Sequence, residues 1–305
     1  MALSTYADLL TAVQAYEDDS SSVVTDRLAD FVTLAEQRIF MGNGDPGSSL
    51  YSPALRCRAM EKTMIFPIGP GQDGGTSAGS ANDQTVTIAA VPTITRGLKI
   101  TFIAGYSNTG AMTLNPNALG AVNIRKGRSQ DALEQGDIFA GGTYTVCHDG
   151  TYFILLPSDG AIPQPSRFLG VKGAYLQDRG APLFPQPATG INMWMDGATA
   201  GEPEYYAIQG DCIRFDPLPN DDYKLSMHYY ARPAALSASL NDIFRESPGI
   251  YLYGTLLELA IYLPNPDKIT QYYGEFIAAI RAYSRSDSMA VQGHAPMRVR
   301  LGLAP

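Results

Sequence analysis

Apolar residues recur at helical spacing in two adjoining stretches near the C-terminus, within residues 247–283. In each stretch they follow the i, i+3, i+4, i+7 spacing of one face of an α-helix. Ser247–Pro248 and Asn265–Pro266 each place an N-cap residue before a proline at the first helical position, and Pro264 ends the first stretch. The pattern predicts an antiparallel helical hairpin. We expect its apolar seam to include Leu256, Leu257, Leu263, Phe276 and Ile280.

Two further amphipathic stretches at the N-terminus are predicted to pack on this hairpin. The first covers residues 4–16, where Thr5 and Asp8 have the spacing of a capping box. The second runs from about residue 23 to residue 40 and is followed by Gly42. Because the stripes of the hairpin are too wide to cover each other, we expect the four helices to form one helical layer.

The middle of the chain has a different pattern. Short runs rich in Thr, Val and Ile, separated by turn residues, fill residues 84–156 and predict an all-β sandwich or barrel. Asp149–Gly150 predicts a two-residue hairpin turn. Because Gly-, Ser- and Pro-rich joints flank this block, we expect it to be a domain inserted into a host domain.

The host domain is expected to resume after the insertion with a small antiparallel β layer. Three alternating stretches, YYAIQG, DCIRFDP and DYKLSMHYYARP, predict a meander. The predicted organisation is a discontinuous host domain of residues 1–68 and 163–290, an inserted all-β domain of residues 69–162 with its linkers, and an extended C-terminal tail of residues 291–305.

Composition narrows the possible functions. The 305-residue chain carries a formal net charge of −8, which disfavours tight binding to a phosphate backbone. Its three cysteines form no CxxC pair, so we expect neither a disulfide framework nor a zinc site. The segment MALSTYADLL has no basic region before an apolar one, and no apolar run is long enough for a bilayer, so neither a signal peptide nor a membrane span is expected.

No catalytic, metal-binding or cofactor-binding constellation is predicted. Cys147, His148 and Asp149 are consecutive in a predicted strand and its turn, where neighbouring side chains point to opposite faces. The Gly-rich run at residues 69–80 lacks the GK[ST] of a phosphate-binding loop. A glycosidase pair of carboxylates has no local signature. We therefore expect no enzyme activity and no cofactor.

Several stretches resemble the head–tail adaptor (connector) proteins of tailed bacteriophages. These are STYADLLTAV, DRLADFVTLAEQRI, YYARPAAL, DIFRESPGIYLYGTLLELAIYL and APMRVR. The resemblance implies an α+β fold: an adaptor-type helical bundle, made of the two N-terminal helices and the C-terminal hairpin, with a small antiparallel β layer and the inserted all-β sandwich or barrel. The block at residues 84–156 resembles the β-modules of phage tail and fibre proteins.

The same resemblance implies a structural role in the virion, at the head–tail interface, after synthesis in the cytoplasm of the host bacterium. Identical subunits would form a ring on the dodecameric portal protein, extend the DNA channel and present a platform for tail nozzle or tail fibre proteins. Genomic DNA would pass through without specific binding, and no membrane would be involved. The segment that docks on the portal would be Met297, Arg298, Val299, Arg300 and Leu301.

Two alternatives stay open at this point. One is a tail- or fibre-associated binding module whose β-insertion recognises a carbohydrate or a partner protein, because the 18 tyrosines of the chain suit either kind of surface. The other is an enzyme such as a cell-wall or capsule hydrolase.

Overall fold

The computed structural model describes residues 3–17, 22–69, 71–89, 93–127, 129–156, 161–189 and 200–292. The chain forms two compact units. Unit 1 combines Met1–Glu61 with Arg232–Pro305, and unit 2 is Lys62–Ala231. The predicted boundaries of the inserted domain, at residues 69 and 162, remain a prediction.

Unit 1 contains six α-helices within the described ranges. They are α1 (Tyr6–Glu17), α2 (Ser22–Thr25), α3 (Leu28–Met41), α4 (Asp242–Glu246), α5 (Pro248–Tyr262) and α6 (Pro266–Gln292), with a 3-10 turn at Arg58–Met60. The predicted capping box is confirmed, since the Asp8 N–H donates to Thr5 Oγ1 over 3.1 Å and the Thr5 N–H donates to Asp8 Oδ2 over 2.9 Å.

Two helices differ from the prediction in extent. The second predicted helix is divided into α2 and α3 around Arg27, which lies before α3 without a side-chain cap. Helix α6 continues past Tyr283 to Gln292, through a stretch whose polar composition hides its helical period. At Gly42, after α3, φ is +76° and a Cβ would meet the Ser52 carbonyl oxygen at 2.8 Å, so a glycine is required there.

Unit 2 is built from strands. In chain order they are β1 (Glu61–Ile68), β2 (Gln72–Thr76), β3 (Ala78–Gly79), β4 (Asp83–Val86), β5 (Lys99–Ile103), β6 (Thr113–Pro116), β7 (Val122–Lys126), β8 (Asp131–Ala132), β9 (Thr143–His148), β10 (Phe153–Leu156), β11 (Ala161–Pro163), β12 (Phe168–Leu176), β13 (Ala181–Pro185), β14 (Tyr205–Gln209), β15 (Cys212–Asp216) and β16 (Tyr223–Ala231).

These strands form two mixed sheets. The seven-stranded sheet has the order β1-β16-β12-β13-β14-β15-β11. The nine-stranded sheet has the order β2-β5-β9-β10-β7-β6-β4-β3, with β8 paired to β7. Parallel pairs occur in both, for example β13 with β14 and β10 with β7.

The β9–β10 hairpin buries both of its faces. Val146 and Phe153 belong to the core of the nine-stranded sheet, while Cys147 and Ile154 belong to a second core formed with the seven-stranded sheet. Cys147 lies directly opposite Ile154 in the ladder, so the two core faces follow the ordinary alternation of a strand. The predicted two-residue turn is wrong: His148 pairs with Phe153, which leaves a four-residue loop closed by the Asp149 side chain.

The predicted fold class is wrong. The described chain is mostly β, and its sheets are large and nearly closed, so it is not an α+β protein made of an adaptor-type helical bundle with a small antiparallel β layer. The predicted meander is wrong as well, because β16 lies between β1 and β12 and not beside β15. The alternation of apolar residues fixes which face of a strand is buried but not which strand is its neighbour.

Candidate interaction site

The hairpin of α5 and α6 contains all five residues predicted for the apolar seam. Leu256, Leu257 and Phe276 are fully buried and Ile280 is 3% exposed, whereas Leu263 lies just beyond α5 and is 38% exposed. The hairpin also approaches α3 closely. A Cβ on Gly254 would meet Phe276 at 3.1 Å and Ala35 of α3 at 3.3 Å.

Polar side chains fix the long helix α6 to the rest of unit 1. Glu17 at the end of α1 accepts hydrogen bonds from Lys268 Nζ over 2.6 Å and from the Tyr272 hydroxyl over 2.8 Å. Burial, together with the bond to Glu17, raises the pKa of Tyr272, which keeps the hydroxyl a donor. The Tyr273 hydroxyl donates to the carbonyl of Tyr51 over 2.6 Å.

The last turns of α6 have their own contacts. The Tyr283 hydroxyl donates to Glu246 Oε2 over 2.9 Å, and burial raises the pKa of Tyr283. Arg58 donates to Asp287 twice, from Nε over 2.8 Å and from its backbone N–H over 3.1 Å. The helix is therefore held close to the point where the predicted tail begins.

A charged pair joins α3 to α5. Arg38 donates through Nε to Glu258 Oε1, and the two side chains are only 8% and 11% exposed. Arg38 also reaches the carbonyl of Leu50 over 3.4 Å. Because an unpaired buried charge is costly, each side chain needs the other.

An open groove of about 520 Å³ lies beside this pair, and we call it the α3–α5 groove. Leu34 and Met41, two turns apart on α3, are 44% and 64% exposed along it. The other lining residues that matter here are polar or charged: Gln37, Arg38, Arg232 and Glu258. The groove thus combines exposed apolar side chains with two arginines and one carboxylate.

Arg232 lines this groove, and its charge also acts on the buried Glu36. The Arg232 guanidinium lies 6.0 Å from the centre of the Phe40 ring. Glu36 is 3% exposed, and its Oε1 accepts the backbone N–H of Leu236 over 2.7 Å. Burial raises the pKa of Glu36, although this hydrogen bond and the charge of Arg232 act in the opposite direction.

The predicted portal-docking segment, Met297–Leu301, lies outside the described residues, and its role remains a prediction. Arg38, Glu36, Glu258 and Asp287 were not predicted from the sequence. The sequence around Glu258 shows only that a carboxylate interrupts an apolar run, LLELAIY.

The consecutive residues Cys147, His148 and Asp149 do not form a thiol site in unit 2. Burial raises the pKa of Cys147 to about 12, so the thiol stays protonated at neutral pH. Burial lowers the pKa of His148. Across the described ranges, no group of three or more His, Cys, Asp or Glu side chains could hold a metal ion. No helix within those ranges is long and apolar enough to span a bilayer.

A protein-family model matches this chain. The model of the family described as SU10 adaptor protein matches residues 117–300, which is more than half of the chain. The match begins within unit 2 and runs through α4, α5 and α6 of unit 1. No individually curated protein matches the sequence.

The different burial of two leucines in this hairpin predicts that their replacement by alanine will lower stability by different amounts. Leu256→Ala leaves a cavity at a fully buried position and should lower the free energy of unfolding by about 2–5 kcal/mol. The matched variant Leu263→Ala, at an exposed position, should change it by about 0.5 kcal/mol or less. Urea unfolding followed by circular dichroism measures both, and equal losses would show that Leu256 is not core.

Glu36 predicts a pH dependence of stability. Its pKa in the folded state is raised above the unfolded value of about 4.3, so the folded protein binds a proton first as the pH falls. Stability relative to Glu36→Gln should therefore rise between pH 7 and pH 4. Thermal unfolding across this range gives the difference. The control is Glu275→Gln, on the exposed side of α6, which should keep the wild-type pH profile. If the difference in stability between wild type and Glu36→Gln is constant with pH, the raised pKa of Glu36 is contradicted.

Proposed function

The chain belongs to the SU10 adaptor protein family, and we propose that it is a head-to-tail adaptor that docks as a ring on the portal of a bacteriophage virion. Membership confirms the resemblance to phage adaptor proteins and makes the chain a structural component of the virion. The proposal has three parts. The portal protein is the partner, identical subunits form a ring on it, and the ring is a platform for tail nozzle or fibre proteins.

The extent of the family match is the observation that carries this proposal. It continues to residue 300 and so includes Met297, Arg298, Val299 and Arg300 of the predicted docking segment. Apolar and basic side chains alternate in this segment, which suits an extended peptide that fills apolar pockets and pairs with carboxylates of a partner.

The anchoring of α6 supports the same proposal. Contacts of Tyr283 and Asp287 with Glu246 and Arg58 hold the helix near its end, so the docking segment would start from a fixed point of unit 1. A tethered segment reaches its partner at a high effective concentration once a neighbouring contact has formed. A copy that contacts a neighbour already docked on the portal would therefore bind the portal more readily than the first copy did.

Charge supports the proposed DNA channel. The net charge of −8 gives little affinity for phosphate backbones, which suits a wall past which DNA must move. The proposed function requires binding between proteins and no catalytic step.

Removal of residues 295–305 should abolish docking on the purified portal protein of the same phage, because it removes the whole docking segment. Co-elution in size-exclusion chromatography measures docking, and an unchanged melting temperature would show that unit 1 stays folded. The control lacks only residues 303–305 and should dock like the full chain. Full docking by the chain without residues 295–305 would refute the tail-anchor proposal.

A further inference from the structure

An aromatic pair with one exposed ring lies on the seven-stranded sheet, on the face opposite to Leu183 and Tyr206. Leu183 of β13 and Tyr206 of β14 are buried in the core, so the alternation of the strands puts their neighbours Phe184 and Tyr205 on the opposite face. Phe184 and Tyr205 are direct partners in the parallel ladder, with ring centroids 6.4 Å apart. Phe184 is 56% exposed, which is unusual for a large apolar ring.

Two acidic residues adjoin this pair, one in the chain and one in the ladder. Glu204 is exposed and precedes Tyr205, and its carbonyl accepts the Phe184 N–H over 2.9 Å. Asp216 is the ladder partner of Tyr205 on β15. We call Phe184, Tyr205 and Asp216 the aromatic knob: an aromatic pair with a carboxylate on the neighbouring strand, on the same face of the sheet.

The α3–α5 groove is complementary to the aromatic knob in shape and in charge. It is concave, its exposed apolar side chains are Leu34 and Met41, and the cations in its lining outnumber the carboxylates. Burying an exposed phenyl ring between Leu34 and Met41 would remove apolar surface from water on both partners. The Asp216 carboxylate beside the pair would come near Arg232, which would give charge complementarity and set the orientation.

We propose that the aromatic knob of one copy of this chain docks in the α3–α5 groove of a second copy. The contact joins two different surfaces, and contacts of this kind generate a ring when the rotation between neighbours closes. This inference rests on the proposed function, since it names the surfaces through which the adaptor ring would be built.

Cross-linking between two differently labelled populations tests the contact directly. Full-length Leu34→Cys and full-length Phe184→Cys are mixed, alone and with the purified portal, and treated with a short bis-maleimide. The native cysteines Cys57, Cys147 and Cys212 are buried, and each variant alone gives the background. We expect mixed dimers from this pair and none when Ile208→Cys, on an exposed side chain of the same sheet, replaces Phe184→Cys.

Substitutions test the energetics of the same contact. Phe184→Ala and Met41→Ser should each weaken association between copies at least about tenfold, as expected for a central interface residue. Ile208→Ala and Met289→Ser, two other exposed apolar positions, should leave it unchanged. Asp216→Arg and Arg232→Asp should each weaken association, and mixing the two variants should restore part of it. Sedimentation velocity measures the association, alone and on the portal.

The outcomes separate the two proposals. Several copies on the portal without cross-links between positions 34 and 184, and with full assembly by Phe184→Ala, would overturn this contact and leave the adaptor function standing. Failure of the copies to assemble at all, with or without the portal, would overturn both. Cross-links between two copies of Phe184→Cys alone would indicate a symmetric contact and also overturn the proposal.

Discussion

Unit 2 depends on the burial of both faces of one hairpin. Strands β9 and β10 contribute Val146 and Phe153 to one core and Cys147 and Ile154 to another, so a change of register by one residue would exchange the two sets. A strand pair that is apolar on both sides cannot face water. Each face of this hairpin therefore belongs to one of the two apolar cores of the unit. A shift of the hairpin would expose apolar side chains of one core to water.

Unit 1 has a corresponding constraint in the close approach of α3, α5 and α6 at Gly254, Ala35 and Phe276. This contact, together with the polar anchors along α6, makes the helix a rigid base for whatever follows it. In the proposed function, such a base would fix the point from which the docking segment starts. Unit 2 is built from strands, whereas the segment proposed to dock follows the helices of unit 1 in the chain.

The sequence predicted what is local and missed what is distant. The helices of the C-terminal hairpin follow from Ser247–Pro248, Asn265–Pro266 and an apolar period, all within a short stretch. The size of the β part could not be predicted in the same way, since β1 and β12 join β16 from far along the chain. At the candidate site the buried leucines were predictable, but the pair of Arg38 with Glu258 was not, because a charge becomes a core residue only through a partner on another helix. Family membership came from the match over residues 117–300.

The most direct test of the adaptor proposal is the mass of the complex formed with the portal. Mass photometry of the full chain, alone and mixed with the purified portal of the same phage, should show the portal gaining about one adaptor subunit for each portal subunit. A portal of unchanged mass, beside a stable small oligomer of this chain such as a trimer, would contradict the proposal and point to a fibre or spike component.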